Sequence, residues 1–171
     1  MHPSVTPLAA VLRLNTELLL NCLDGLNDEA ASARPIAKTN SIAFLVAHLI
    51  DSRHFLAALL GSPLSNPVAR LLDGARNIDD IASLPTVADL HAYWEAVSAH
   101  LAVLTERLDT PQLTAAAQRF PGSDGTLLGG LAFLVQHDTY HLGQIALLRR
   151  QGGFPAMTYT LHDREPGRRG A

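Results

Sequence analysis

The chain has 171 residues, 47% of them hydrophobic and 17% charged, with a formal net charge of −3. That length suits one ordinary domain able to bury a core unaided, and the balance excludes a disordered polymer. The only clustered basic stretch is Arg164 to Arg169, so nucleic-acid binding has no electrostatic footing.

Taken in order, the chain begins with an apolar stretch that Arg13, Asn15 and Glu17 interrupt before signal-peptide or membrane length is reached, so a soluble, cytoplasmic protein is expected. Thr6-Pro7 predicts the start of a first helix over 7–24, with threonine as cap and proline in the first turn. Leu8, Val11, Leu12, Leu18, Leu19 and Cys22 recur at helical spacing along it. Cys22 is the only cysteine, which excludes an internal disulfide, suits a reducing compartment and places an inert thiol in the core. Asn15 falls in the same stripe, as a hydrogen-bonded core amide or a polar cavity wall.

Asn27 to Thr39 reads as a connection with a helical turn after Asp28. Thr39 or Asn40 then caps a second long helix ending at Gly61-Ser62-Pro63. On its wheel Leu45, His48, Ser52, Phe55 and Leu59 share a core stripe with Asp51 at the edge, whereas His54 lies about 120° from His48 and points outward or to a partner. Residues 61–85 carry Pro63, Pro67, Gly74 and Pro85 and read as a long connection with a short helix near 67–72.

Thr86 and Asp89 predict a cap for a third long helix. Its Val87, Leu90, Trp94, Val97, Leu101, Leu104 and Leu108 alternate spacings of three and four, the seam of a bundle helix. His91 flanks that seam as a candidate cavity residue, and His100 faces solvent. Residues 110–125 form a second long connection. The fourth helix, 126–150, carries a Gly129-Gly130 pair that costs roughly 1 kcal/mol per glycine, which predicts a close approach there. Four amphipathic helices without a strand pattern predict an all-α four-helix bundle with long crossover connections, a single domain over 1–160 and a disordered tail over 161–171.

The fourth helix holds the most specific signal. With Leu134 at zero, Leu127, Gly130, Leu131, His137, Asp138, His141, Ile145 and Leu148 fall within about 60° of it. His137 and His141 are one turn apart on the inward side and can converge on one ion, such as zinc, nickel, copper or iron. Taken singly, each inward histidine also reads as a hydrogen-bonded core residue. Three of them on two helices are costlier to bury unpaired, by several kcal/mol, and a divalent ion satisfies all three. The spacing lacks the glutamate of HExxH and with it a helix-borne protease base.

The segments SIAFLVAHLIDSRHFLAALLG and LVQHDTYHLGQIALLRRQGG, with a tryptophan-bearing helix between them, resemble the DinB/YfiT-like superfamily of metal-dependent bundles over Pro7 to Gly153. The most specific part is His137-x-x-x-His141-x-Gly143-Gln144-Ile145. The resemblance implies a four-helix bundle with a long crossover, frequently dimeric, in which His48, His137 and His141 hold a divalent ion in an open site. Zinc and nickel lead the expected ions. Some relatives are bacillithiol transferases or mycothiol-dependent isomerases, which implies a metal-dependent S-transferase acting on a small thiol and an electrophilic substrate; the alternative is a non-catalytic metal-binding stress or interaction protein. Catalytic side chains are unassigned, including Tyr140. Asp51 and Asp138 are candidates to orient ligand imidazoles, or else helix-surface charges or salt-bridge partners. A homodimer is expected through Leu19, Leu20, Phe133 and Leu147, with neither nucleic acid nor membrane as partner.

Overall fold

The computed structural model describes residues 1–36, 38–75 and 77–161. Among these residues the elements are α1 (Thr6–Leu23), α2 (Asp28–Ser32), α3 (Ile42–Leu59), α4 (Ala69–Leu72), a 3-10 turn (Ile78–Asp80), α5 (Val87–Arg107), α6 (Thr110–Thr114) and α7 (Leu127–Gln151), with no strand. The fold is thus all-helical, as the periodicity predicts. The expected disordered tail lies, apart from Leu161, outside the described residues.

Local chemistry sets most helix ends. Thr86 and Thr126 accept hydrogen bonds from the amides of Asp89 and Gly129, each at 3.1 Å, and so tie down free donors of α5 and α7. Two expected caps are corrected. Ser41, rather than Thr39 or Asn40, accepts the Phe44 amide at the start of α3. Thr6 does not cap α1; its hydroxyl donates to the His2 carbonyl, and a turn over residues 2–5 leads into the helix.

The helices α1, α3, α5 and α7 form the bundle. α3 packs on α5 and α7, and α1 packs on the same two, which places α1 opposite α3. Two apolar clusters give the directions. Leu18 to Leu26, Ile42 to Ile50, Leu90, Trp94 and Leu142 to Leu148 meet at one end, and Val5 to Leu12, Leu56 to Leu60, Leu101, Leu108 and Leu127 to Val135 meet at the other. α1 and α7 therefore run antiparallel to α3 and α5, and of the long connections the one between α3 and α5 traverses the bundle.

The α5 seam is buried as expected at Leu90, Trp94, Val97, Leu101 and Leu108. The α3 wheel requires correction. Phe55 is 40% exposed, whereas Ile42, Val46, Leu49, Ile50, Arg53 and Leu56 are at most 3% exposed. α3 is apolar on nearly every side and is covered by two long helices, so its period carries little information about which side is the core. It is also the described helix long and apolar enough to cross a membrane, yet 61% of that span is buried within the bundle. His54, expected to point outward or to a partner, is buried within the bundle, and its Nδ1 donates to the Ile50 carbonyl at 2.8 Å.

Between the two apolar clusters lies a polar layer. Arg53, 1% exposed, donates from Nε to Asp138 Oδ2 at 2.8 Å and from Nη1 to the hydroxyls of Thr16 and Ser98, while Nη2 reaches the Leu12 carbonyl and Asp138. Its guanidinium lies 3.5 Å from the centroid of the Trp94 ring. Burial pushes the Arg53 guanidinium down and the Asp138 carboxyl up, and their mutual attraction acts against both shifts. Asn15 donates to Thr139 Oγ1 at 2.9 Å, the hydrogen-bonded alternative for that residue.

Candidate metal centre

α3 and α7 lie side by side, and each turns histidines toward the seam between them. His48 Nε2 lies 3.2 Å from His137 Nε2, which in turn lies 3.1 Å from His141 Nε2. One ligand atom from each of the three falls within 4.8 Å of the others, and all three residues are half-buried, so the cluster opens to solvent. The rings meet edge to face, with centroids 4.5–5.0 Å apart.

The donor set fits a divalent ion. Two nitrogens at about 2.0–2.1 Å from one ion, at angles near 90–110°, sit about 2.8–3.4 Å apart, and the His48–His137 and His137–His141 separations fall in that interval. The outer nitrogens have partners of their own. His141 Nδ1 lies 2.8 Å from Gln144 Oε1, an oxygen that only accepts, so Nδ1 carries the proton and the Nε2 lone pair faces the cluster. His137 Nδ1 lies 3.3 Å from the Ser52 hydroxyl. Burial, then His141 and His48, hold His137 down to about 4. Burial and His141 likewise lower His48, with Asp51 acting the other way. Both imidazoles are therefore neutral at pH 7, the form that ligates a metal.

The structure brings His48, His137 and His141 together and places the two carboxylate candidates elsewhere. Asp138 belongs to the buried pair with Arg53, and Asp51 accepts from Asn66 Nδ2 at 2.6 Å. Neither carboxylate is hydrogen-bonded to a ligand imidazole; Gln144 and Ser52 take that position. Their signal in the sequence was spacing: Gln144 is three residues after His141, and Ser52 four after His48, both on the same helix face. His91 pairs with Glu95 at 3.1 Å on α5 and is not in the cluster. His100, expected solvated, is half-buried with its ring nitrogen 3.0 Å from the Ser62 carbonyl. Tyr140 is 58% exposed and packs its ring edgewise against His141. Cys22 is buried, and burial pushes its thiol up to about 11, which makes it inert.

Of the expected interface residues, Leu19 and Leu20 are corrected. They are 0% and 4% exposed, packed in the core beside α3 and α7. Leu147, at 58%, is exposed.

A helical bundle with three convergent histidines on adjacent helices, open on one side, defines a protein able to hold one divalent ion. The chain belongs to the DinB superfamily, whose model matches residues 12–145. Among solved structures it is similar to a conserved protein from Enterococcus faecalis, with a TM-score of 0.73, covering 88% of this chain and 97% of that one. At 16% identity that likeness is one of fold. No curated protein matches the chain.

Proposed function

We propose that His48, His137 and His141 hold one zinc or nickel ion and that the protein is a metal-dependent S-transferase, joining a low-molecular-weight thiol to an electrophile. The convergence of three Nε2 atoms on an open side of the bundle carries this reading. Three neutral imidazoles leave the ion's charge intact, and such an ion supplies a nucleophile at neutral pH by favouring the deprotonated form of a thiol or of water. Gln144 fixes the His141 tautomer, and Ser52 orients His137. The buried Arg53–Asp138 pair links α3 to α7 next to Ser52 and His137, so the two helices that carry the ligands are held in one register. We also propose a cytoplasmic homodimer, with the exposed α7 residue Leu147 in its interface.

The test is turnover of chlorodinitrobenzene with a panel of small thiols by metal-loaded protein purified without a histidine tag. The reading predicts thiol-dependent turnover whose pH–rate ionisation moves when zinc is replaced by nickel. Full metal loading without turnover for any thiol would instead support a metal-binding protein with no catalysis.

A further inference from the structure

The groove between α3 and α7 differs at its two ends, with the histidines between them. Toward the start of α3 it opens into a cavity of about 310 Å³ with mixed walls, polar at Lys38, Asn40 and Gln144 and aliphatic at Ile36, Leu45 and Leu147. Toward the end of α3 it is aromatic. The Phe55 ring meets Phe120 edge-on at 6.1 Å, Phe120 stacks on Phe133 at 4.8 Å and 15°, and Phe133 lies 6.3 Å from the His137 ring at 26°. Three phenyl rings thus run continuously from a ligand imidazole to the surface, and the outermost, Phe55, is 40% exposed.

The Gly129-Gly130 pair builds this wall. A Cβ at Gly130 would lie 3.3 Å from the Phe120 ring and 3.2 Å from Leu59, and one at Gly129 would lie 2.4 Å from the Asp124 carboxylate. The close approach that the glycines permit is therefore that of the connection before α7, which sets Phe120 against Phe133. Past Phe133 the surface falls into a groove of about 680 Å³ bordered by Pro121, Ala132 and Gln136, so the wall is accessible from that side. Asp124 on that rim is already engaged, accepting from the amide and hydroxyl of Thr126.

We infer that Phe55, Phe120 and Phe133 form a binding subsite for a flat, apolar ring, so that a substrate reacting at the metal site carries an aryl or arylalkyl group. This rests on the proposed metal site for the placement of the reacting end, and on the rings alone for the class of group bound. Aromatic faces and edges favour another ring over an aliphatic chain, and the three phenyl rings adjoin a ligand imidazole, whereas the far end of the groove offers aliphatic and polar side chains but no aromatic ring.

The test uses the full-length protein loaded with cobalt(II), read by the thiolate-to-cobalt charge-transfer band during titration with phenylmethanethiol or ethanethiol. Native protein should bind phenylmethanethiol about tenfold more tightly, from the burial and stacking of one ring. In Phe55→Ala and Phe133→Leu that preference should fall to within about threefold, with ethanethiol affinity kept. Phe55 is exposed enough that its truncation leaves the core intact, so it serves if Phe133→Leu fails to fold. Equal affinities in native protein, or a preference that survives both replacements, overturns the inference. If native protein takes up no cobalt, the metal reading fails separately. Phenylmethanol against ethanol, titrated into metal-free protein and followed by NMR of the phenylalanine rings, then decides the subsite: selective, Phe55-dependent shifts sustain it, and their absence overturns it.

Discussion

Removing the Asp138 carboxylate should be among the costliest single changes outside the apolar core. The Arg53 guanidinium is 1% exposed and meets Asp138 at 2.8 Å from two of its nitrogens. Asp138→Ala leaves that cation buried with only Thr16, Ser98 and the Leu12 carbonyl as acceptors. Breaking a buried pair in this way costs about 3–5 kcal/mol. For a chain of this size each kcal/mol shifts Tm by about 2–4 °C, so a fall of about 6–20 °C is expected. The double replacement Arg53→Met/Asp138→Leu should behave differently, because it strips both charges and orphans no polar atom. Ser98 and Thr16 already donate to the Trp94 and Leu12 carbonyls, and Trp94 Nε1 keeps the Thr16 carbonyl. Its stability should lie within about 2 kcal/mol of native, or above it. Urea and thermal denaturation followed by circular dichroism measure both variants. An Asp138→Ala cost under about 1 kcal/mol, or a double variant no better than the single one, would refute the reasoning.

The partners of the ligand imidazoles make the next prediction: Gln144→Ala and Ser52→Ala should each weaken zinc affinity by about 10- to 100-fold, whereas Asp51→Asn should leave it within about threefold, as measured by competition with a chromogenic chelator. A large Asp51→Asn effect alone would restore the carboxylate as orienting group. The depressed His48 and His137 pKa values give a pH dependence for metal-free protein. Between about pH 6.5 and the folded His137 value of about 4, the unfolded chain binds protons that the folded chain does not, so stability present at pH 7 is lost as pH falls through that window. The urea midpoint should therefore drop between pH 7 and 4.5, and by less in His137→Asn; a midpoint that rises on acidification would contradict the assigned shifts.

How much of this was legible in the sequence depended on whether an element had a polar side. α5 has one, and its three-and-four seam mapped directly onto the buried residues. α7 likewise carried His137 and His141 on a readable stripe. α3 has none: its apolar residues surround the axis, so the stripe containing His48, Ser52 and Phe55 marks the side facing the open groove, and the core lies on the sides bearing Leu49, Arg53 and Leu56. Arg53 was nonetheless visible as the only Lys or Arg between Ile42 and Leu59, a charge that must find a partner if that helix is central. The partner, Asp138, is 85 residues away, and spacing within one helix carries no information about it. The same limit applied to the glycines, whose demand for space was legible while the occupant, Phe120, came from a loop without periodicity. Leu19 and Leu20 count as surplus apolar surface only if α1 buries a single stripe. Here α1 lies between α5 and α7, and residues 158 and 160 also reach back to bond Asn21, so more of its circumference is covered.

The central claim is that the three histidines are one binding site, and metal stoichiometry tests it most directly. Elemental analysis of protein purified without a histidine tag, after zinc or nickel loading and desalting, should give one equivalent per chain for the native protein. Each of His48→Ala, His137→Ala and His141→Ala should fall well below one equivalent while remaining folded by circular dichroism. A full equivalent retained by both His137→Ala and His141→Ala would show that the ion, if bound, sits elsewhere, and would contradict the account.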